Sequence, residues 1–335
     1  MTISVFKGKD SLKNFLNPAN YLSPLVELPP ALNPYYDKNI HIFIKMQSLS
    51  PLLNIKAIPA HQMIQDAPAG KEYLVEASSG NTAMSLAVIG KQYGFSKTKA
   101  YVSANTAIGK IKSLLLFGCG ASVIVEDEAK QNAPESGINR AKSDGLNAKW
   151  YNPNQYANES NPKSHEDVTG PQIFEQLGGS IDIFCSGLGT SGTTLGTARY
   201  LCRMKKDVTV VSLVRGEGQS VPGPRTKEFL NVVELDWQNA GDIILSVGQK
   251  EAYQRSLELC QAGLMAGPST GFNYAGLLNY LSEFAKSKPA EKHINAVFMA
   301  CDTPLPYMDD YFKILPRESF PLLEGEALLE EKIFG

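Results

Sequence analysis

Residues 187–193 read Gly-Leu-Gly-Thr-Ser-Gly-Thr, and they lie between a strand-like run, Ile181–Cys185, and a helix-like run, Thr193–Arg203. Glycines let the backbone approach a ligand closely, and the unpaired N–H groups at the start of a helix attract anions. The threonine and serine hydroxyls add further hydrogen-bond donors. The stretch therefore predicts a strand–loop–helix unit that binds a phosphate group, in preference to a simple tight turn.

Two other phosphate-binding patterns fit these residues less well. No Gly-Lys-Ser/Thr follows the glycines, so the loop is not a Walker loop. Gly187, Gly189 and Gly192 do spell the dinucleotide pattern Gly-x-Gly-x-x-Gly. However, the next strand-like run, Val208–Val214, ends in Arg215 instead of the acidic residue typical of NAD binding. The glycine pattern alone is weak evidence, and the phosphate loop is the favoured interpretation.

A second glycine-bearing loop, Ser78-Ser79-Gly80-Asn81-Thr82, follows the strand-like run Tyr73–Glu76 and opens the helix-like run Thr82–Tyr93. Four polar donors around a glycine exceed what a helix cap requires, although an ordinary cap is the alternative. We expect this loop to bind a carboxylate at the helix N-terminus.

Lys56 lies between the strand-like run Ile40–Lys45 and both loops, with Leu52, Leu53 and Ile55 as apolar neighbours. Burial lowers the pKa of a lysine, and the neutral amine is the form that attacks an aldehyde. A surface lysine at a helix start is the alternative for this residue taken alone. An imine-forming lysine, a carboxylate loop and a phosphate loop together are the components needed for pyridoxal phosphate chemistry.

The arrangement of runs along the chain predicts an α/β fold. Strand-like and helix-like runs alternate, which favours two three-layer αβα domains with mostly parallel sheets. A polar, proline- and asparagine-rich stretch, Asn152–Glu166, interrupts the alternation. We expect a larger, phosphate-binding domain of residues 1–40 and 152–335, and a smaller domain of residues 41–151 that carries Lys56. The strand-like runs near the C-terminus are Leu264–Ala266 and Ala296–Ala300.

Composition excludes several classes of protein. The 335 residues are 43% hydrophobic and carry a formal net charge of -2, which argues against a nucleic-acid surface. The five cysteines and four histidines are scattered, so we expect neither disulfides nor a metal site. No apolar run has the length of a membrane span, and the first residues lack the apolar stretch of a signal peptide. We expect a cytoplasmic protein that binds neither nucleic acid nor membrane.

Several stretches, in the same order, resemble the fold-type II pyridoxal phosphate enzymes of the cysteine synthase and cystathionine β-synthase family. Lys45–Ile58 resembles the family's Lys-x-Glu-x-x-Asn-Pro-x-x-Ser-x-Lys-Asp-Arg, and Glu76–Thr82 resembles Glu-Pro-Thr-Ser-Gly-Asn-Thr. The phosphate loop resembles Gly-Ile-Gly-Thr-Gly-Gly-Thr. Further similar segments are Gln155–His165, Thr169-Gly170-Pro171, Gly267–Gly271 and Cys301-Asp302-Thr303. The resemblance runs from about Tyr21 to Phe312, with departures at Gln47, Ser50, Asn54, Ala57-Ile58 and Ser191.

The resemblance implies a tryptophan synthase β-like fold and pyridoxal 5'-phosphate as cofactor, with Lys56 as the Schiff-base lysine. The cofactor-binding residues that it implies are Asn81, Gly189, Thr190, Ser191, Gly192, Thr193 and Thr303. The substrate-binding residues that it implies are Ser78, Ser79, Gly80, Thr82 and Gln155, with no metal. Thr303 corresponds to the residue opposite the pyridine nitrogen, and Asp302 receives no role in the site.

The activity that the resemblance implies is β-elimination and β-replacement on an activated serine, O-acetylserine or O-phosphoserine, with sulfide or another thiol. Arg225, in a segment similar to the more permissive cysteine synthase type, is a candidate contact for an anionic substrate group, or else a solvated surface residue. The resemblance also implies a homodimer with a movable subdomain, about Ala83–Glu135. Two alternatives stay open. One is another pyridoxal phosphate reaction, such as dehydration of serine or threonine or replacement by an amine. The other is a cofactor-bound regulatory or binding protein with little turnover.

Overall fold

A computed structural model describes residues 5–78, 80–104, 106–124 and 133–322 of the chain. The strands are β1 (Leu25–Glu27), β2 (Ile40–Met46), β3 (Tyr73–Ala77), β4 (Lys97–Ser103), β5 (Cys119–Ile124), β6 (Trp150–Tyr151), β7 (Ile183–Gly187), β8 (Thr209–Arg215), β9 (Ile243–Val247) and β10 (Ile294–Ala300). The α-helices are α1 (Ser11–Phe15), α2 (Ala57–Gln65), α3 (Asn81–Gln92), α4 (Ile108–Leu116), α5 (Gly137–Gly145), α6 (Ser160–Asp167), α7 (Thr169–Gln176), α8 (Gly192–Met204), α9 (Gln249–Gln261), α10 (Pro268–Ser287) and α11 (Met308–Ile314).

The larger sheet has six strands in the order β1-β2-β10-β7-β8-β9. All neighbouring strands are parallel except β1, which runs antiparallel to β2 at the edge. Side chains alternate across this sheet. Ile183 and Phe298 pack with residues of α9 and α10, whereas Phe184 and Val297 pack with residues of α7 and α8. Helices therefore cover both faces, and the strands are apolar on both sides.

The smaller sheet has four parallel strands in the order β5-β4-β3-β6. On one face, Leu74 packs with Leu86 and Ile89 of α3 and with residues of α2. On the other face, Val75 packs in a cluster that includes Ala141 of α5. This arrangement confirms the predicted α/β fold with parallel sheets in helix-covered layers.

The sheets differ from the sequence-based division in one respect. β2 hydrogen-bonds to β10 along its whole length, from Ile40 beside Ile294 to Met46 beside Ala300. The strand thus lies in the larger sheet, although the expected smaller domain began at residue 41. Strand pairing is a long-range property, so sequence order alone did not reveal it. We keep the division into two domains as a proposal, with the smaller domain beginning after β2.

Local predictions also differ from the structure in places. Leu264–Ala266 is not a strand; it is an extended link that brings the chain from α9 to α10. The polar stretch Asn152–Glu166 contains most of α6, which packs against α2 and α8. No helix within the described ranges is long and apolar enough to cross a membrane.

Candidate active site

The carboxyl ends of strands from both sheets open into one cleft, as is usual for ligand sites in parallel α/β sheets. The cleft has an inner chamber of about 170 Å³ and an outer chamber of about 330 Å³. The inner chamber is the part lined by Lys56, Asn81, Thr190, Thr193, Ser269 and Asp302. The outer chamber is the part lined by Tyr101, Thr106, Arg215, Phe229, Tyr253 and Asp310. The residues at the junction, which line both chambers, include Ser78, Lys110, Tyr156, Arg225 and Tyr307.

Lys56 is half-buried in the inner chamber and directly precedes α2. The N–H of Ile55 donates to the carbonyl oxygen of Cys301 at 2.7 Å, and Asn54 forms an antiparallel bridge with Asp302. The loop that carries Lys56, here called the lysine loop, is thereby fixed against the segment that follows β10. Burial lowers the pKa of Lys56, while Cys301 and Asp302 oppose that shift. A lowered pKa favours the neutral amine, the form that condenses with an aldehyde or accepts a proton.

Asn54, one of the departures from the family pattern, has a structural function. Its side chain is almost fully buried, and its Nδ2 donates to the carbonyl oxygen of Leu52 at 2.7 Å. Its Oδ1 accepts a hydrogen bond from Ser85 Oγ on α3 at 3.2 Å. The asparagine therefore ties the lysine loop to the helix of the carboxylate loop.

The phosphate loop lies where the sequence predicted it, at the end of β7 and the start of α8. Gly189, Thr190 and Thr193 line the inner chamber. A Cβ atom on Gly189 would lie 2.7 Å from the carbonyl oxygen of Gly223, so the close backbone approach requires glycine. Ser191 and Gly192 support the turn and do not line the chamber. Ser191 has a left-handed φ of 68°, and a Cβ atom on Gly192 would collide with the side-chain amide of Asn161.

Buried neighbours orient the two threonine hydroxyls. Asn161 Nδ2 donates to Thr190 Oγ1 at 3.0 Å, which leaves the threonine O–H available as a donor. Thr193 Oγ1 lies 3.1 Å from Nε2 of His165, whose Nδ1 lies 2.9 Å from Thr169 Oγ1. Burial holds the pKa of His165 well below its usual range, so the ring is neutral. Two hydroxyl donors at a helix N-terminus suit a phosphate group. With Lys56 in the same chamber, these residues fit a cofactor that carries an aldehyde and a phosphate.

The loop Ser78–Thr82, here called the carboxylate loop, both caps α3 and lines the inner chamber. Ser78 Oγ accepts the N–H groups of Gly80 at 3.2 Å and Ala83 at 3.3 Å, so this serine caps α3. Some donors that we expected to be unpaired are therefore satisfied. Gly80 has a φ of 145°, which side chains rarely tolerate, while Ser79 lies outside the described residues. Asn81 and Thr82 line the inner chamber.

Gln155, which the resemblance places among the substrate-binding residues, is hydrogen-bonded to the carboxylate loop. Its Oε1 accepts a hydrogen bond from Thr82 Oγ1 at 2.8 Å, and its Nε2 donates to the carbonyl oxygen of Ala77 at 2.9 Å. Its backbone N–H donates to the carboxylate of Glu76 at 3.2 Å. Burial raises the pKa of Glu76 to about 7, and hydrogen bonds from Gln155, Ala77 and nearby asparagines limit the rise.

Thr303 lies apart from the other residues predicted to contact the cofactor. Thr303 lines a separate cavity with Leu52, Met84 and Leu305, outside the inner chamber. Asp302, which receives no role from the sequence, lines both this cavity and the inner chamber. The bridge between Asn54 and Asp302 holds the segment at this position.

Asp302 is the centre of a small hydrogen-bond network in the inner chamber. Its Oδ2 accepts from Asn81 Nδ2 at 2.7 Å and from the Tyr307 hydroxyl at 2.6 Å. Ser269, at the start of α10, donates to Oδ1 at 3.4 Å and supplies a hydroxyl within the chamber. The sequence offered a signal only for Ser269, which belongs to the family-like segment Gly267–Gly271. Tyr307 is a single tyrosine after the last strand, so local sequence did not distinguish it.

Arg225 is not a solvated surface residue. It lines both chambers, its Nη1 donates to the carbonyl oxygen of Phe229 at 3.1 Å, and its Nη2 donates to the Tyr156 hydroxyl at 3.4 Å. Its guanidinium carbon lies 5.1 Å from the centre of the Tyr156 ring. The interpretation of Arg225 as a residue of the ligand cleft is therefore the better one.

Comparison with known proteins agrees with this geometry. Residues 16–294 match the family model described as pyridoxal-phosphate dependent enzyme. The chain is 29% identical to cysteine synthase B of Escherichia coli K12 over 80% of this chain and 86% of that protein. It is 30% identical to cysteine synthase B of Salmonella typhimurium LT2 over 76% of this chain and 84% of that protein. The solved structure of O-ureido-L-serine synthase superposes with a TM-score of 0.76 at 20% identity, covering 96% of this chain and 98% of that one.

Proposed function

The chain belongs to the pyridoxal-phosphate dependent enzyme family, and from that premise we propose that it catalyses β-replacement on an activated serine. The amino-acid substrate is O-acetylserine or O-phosphoserine, and the nucleophile is a thiol. The observation that carries the proposal is the inner chamber. It combines Lys56, whose pKa is lowered, with an anion-binding loop at each of two helix N-termini.

The residues that hold the cofactor follow from their positions. Lys56 binds its aldehyde carbon, and the hydroxyls of Thr190 and Thr193 with the N-terminus of α8 bind its phosphate. Asn81 and the Ser269 hydroxyl provide polar contacts to the ring. We assign Ser269 the role that the resemblance implied for Thr303, because the Ser269 hydroxyl lines the inner chamber and Thr303 does not.

Bound pyridoxal phosphate supplies an electron sink for negative charge at Cα of the substrate. The Lys56 amine would accept the Cα proton as general base. The loop of Ser78–Thr82 and the amide of Gln155 bind the substrate carboxylate. Their mutual hydrogen bonds would hold the carboxylate at a fixed position relative to Lys56.

The proposed homodimer has one supporting feature. α4 exposes a group of large apolar side chains with exposed fractions of 64% for Ile108, 60% for Leu115 and 81% for Leu116. Contiguous exposed apolar surface of this kind is typical of protein–protein interfaces. Light scattering of the purified protein gives the mass in solution, and a monomer at all concentrations contradicts the proposal.

The test of the activity is a substrate screen on the purified holoenzyme. O-acetylserine, O-phosphoserine and serine are each supplied with sulfide or an organic thiol, and products are identified by mass spectrometry. We expect a thioether or cysteine from an activated serine. Pyruvate from serine would favour a dehydratase, and formation of a C–N product with an amine would favour an amine-transfer enzyme. If no substrate alters the visible absorbance of the cofactor or yields product, the chain is a cofactor-bound binding protein.

A further inference from the structure

Asp302, two residues after β10, is the acidic side chain of the inner chamber, and no other carboxylate among the described residues lines it. Only 3% of its surface is exposed. A buried carboxylate is costly unless cations or hydrogen-bond donors stabilise it. Within the ranges that the structure describes, Asp302 forms no ion pair, so its charge depends mainly on hydrogen bonds.

Three side chains donate to this carboxylate, and two of the bonds are short. Oδ2 accepts from Asn81 Nδ2 at 2.7 Å and from the Tyr307 hydroxyl at 2.6 Å. These lengths are typical of charge-assisted hydrogen bonds, which are about twice as strong as neutral ones. Oδ1 accepts a longer bond, of 3.4 Å, from Ser269 Oγ. Asp302 is therefore tied to the carboxylate loop through Asn81.

The position of the Asp302 carboxylate is fixed by its surroundings. The carbonyl oxygen of Asp302 accepts the N–H of Gly267 at 2.9 Å, and the residue forms the bridge with Asn54. A Cβ atom on Gly267 would lie 2.3 Å from Asp302 Oδ1, so the carboxylate packs directly against the backbone before α10. The carboxylate is thus held in place, and the side chain of Asn81 is oriented relative to it.

Tyr307 is a constant donor in this network. Its side chain is buried, and burial together with the Asp302 carboxylate holds the pKa of the Tyr307 hydroxyl well above its ordinary value. The hydroxyl therefore keeps its proton near neutral pH. The Nζ atom of Lys110 lies 4.7 Å from the centre of the Tyr307 ring, within the range of a cation–π interaction. The ring is thus held beside Asp302 from its other side.

The chemistry of Asp302 determines which end of the Asn81 side chain faces it. An ionised carboxylate only accepts hydrogen bonds, whereas a side-chain amide has a donating nitrogen and an accepting oxygen. Asn81 must therefore present Nδ2, and not Oδ1, to Asp302. Nδ2 carries two N–H groups, and the second has no acceptor among the described residues. Because Asn81 lines the inner chamber, this N–H is available to a ligand there.

We propose that Asp302 is a positioning residue, which orients Asn81 so that its amide donates to the ring oxygen of bound pyridoxal phosphate. The inference rests on the proposed function and adds a role for Asp302, for which the sequence offered none. The ring oxygen is negatively charged in the form of the cofactor that absorbs visible light, and an N–H donor stabilises that charge. Without the carboxylate, the Asn81 amide is free to turn its own oxygen toward the ring, which weakens binding.

The experiment measures the affinity of the apoenzyme for pyridoxal phosphate and the absorbance of the bound cofactor. Asp302→Asn keeps the shape of the side chain but donates as well as accepts, so it no longer selects the orientation of Asn81. We expect roughly ten-fold weaker cofactor binding, within the range for one hydrogen bond to a charged group. We also expect a smaller visible band and a larger near-ultraviolet band, because the ring oxygen gains a proton when its donor is lost.

A double variant separates an effect through Asn81 from a direct effect on Lys56. Burial lowers the pKa of Lys56, and Cys301 and Asp302 oppose that shift, so loss of the Asp302 charge also acts on Lys56 directly. In the Asn81→Ala background, a residue that acts by orienting Asn81 has nothing left to orient. We therefore expect Asp302→Asn to lose most of its effect on affinity and absorbance in that background. An undiminished effect overturns the inference.

Asp310→Asn is the matched control. Asp310 is a carboxylate of the outer chamber that accepts from the Tyr253 hydroxyl at 3.5 Å and forms no hydrogen bond with Asn81. We expect this variant to keep the wild-type affinity and absorbance, and the inference is wrong if Asp302→Asn behaves in the same way. If Asp302→Asn does not fold, Tyr307→Phe, which removes one of the two short bonds to Oδ2, takes its place. Its effect must likewise decline in the Asn81→Ala background.

The same measurements distinguish failure of this inference from failure of the proposed function. A wild-type protein that binds no pyridoxal phosphate and develops no visible band contradicts the proposed function, and this inference with it. A wild type that binds the cofactor but is insensitive to Asp302→Asn contradicts only the role of Asp302. Binding and absorbance are measured without any substrate, so neither result depends on which reaction the enzyme catalyses.

Discussion

The buried carboxylate of Glu76 accepts the backbone N–H of Gln155, the residue whose side chain holds the carboxylate loop through Thr82. The same carboxylate accepts the N–H of Ala77 at 2.9 Å. Glu76 is 1% exposed, so its charge is stabilised mainly by these donors. The position of the carboxylate loop relative to Gln155 therefore depends on a buried acid that does not line the inner chamber.

Glu76 predicts a pH dependence of stability. Its pKa is raised from 4.5 to about 7, so the folded protein binds this proton more tightly than the unfolded chain. Its contribution to stability is complete below pH 4.5 and is lost as the pH rises through 7. We expect Glu76→Gln to remove about 3 kcal/mol of this dependence. Urea unfolding at pH 5 and pH 8 measures it, and an identical pH dependence in the variant contradicts the assignment.

Lys56 is the residue that binds the cofactor covalently. We expect borohydride reduction of the yellow protein, followed by peptide mapping, to place the pyridoxyl group on Lys56. Lys56→Ala retains some cofactor through the phosphate loop but loses turnover, because the general base is absent. A label on Lys110, which lines the same chamber, would show that the wrong lysine was assigned.

The phosphate loop is best tested at its hydroxyls. Thr190→Val and Thr193→Val keep the shape of the loop, and each should weaken cofactor binding by roughly 1.5–3 kcal/mol, the range for hydrogen bonds to charged groups. Gly192→Asp should also abolish cofactor retention. However, its side chain would collide with Asn161, so the effect of the added charge could not be separated from that of disturbed packing. Thr197→Val, a buried threonine of α8 that does not line the inner chamber, is the matched control. Equal cofactor affinity in all three valine variants contradicts the assignment.

Substrate binding should close the smaller domain. We expect an amino-acid substrate, but not its decarboxylated amine, to slow hydrogen exchange in α3 and α4, because the carboxylate loop opens α3. Asn81→Ala should weaken substrate binding with the fold intact. Asn81 Nδ2 also donates to Asp302 Oδ2 at 2.7 Å, and the loss of this bond could itself change hydrogen exchange. Hydrogen exchange of the unliganded variant is therefore the control. Equal protection from hydrogen exchange by both ligands would indicate that the loop is only an ordinary helix cap.

Two substitutions test whether Ser269 or Thr303 is the partner of the cofactor ring. Ser269→Ala removes a hydroxyl from the inner chamber and should shift the visible absorbance of the bound cofactor. Thr303→Val changes a residue that lines a different cavity and should leave the spectrum unchanged. The opposite result would restore Thr303 as the partner of the ring.

Much of the fold followed from local sequence, because glycine loops and apolar periodicity are local properties. The predicted runs Tyr73–Glu76 and Thr193–Arg203, for example, end within one residue of β3 and α8 as observed. The sequence failed at β2, whose membership in the larger sheet depends on pairing with β10, about 250 residues later in the chain. It also gave no sign that Asn54, in place of the family serine, would be a buried link between the loop that carries Lys56 and α3.

By itself, then, the sequence determined Lys56, the two anion-binding loops and hence the cofactor, since each is a residue type at a defined place before a helix. Only the tertiary structure decided which side chains reach the cleft from outside these motifs. Asp302, and not Thr303, lines the inner chamber beside Lys56, and a bridge to Asn54 holds that segment in place. Lys110 of α4 and Arg215 of β8 line one chamber, although they belong to elements of different sheets. Such orientations depend on long-range packing, which no local pattern encodes.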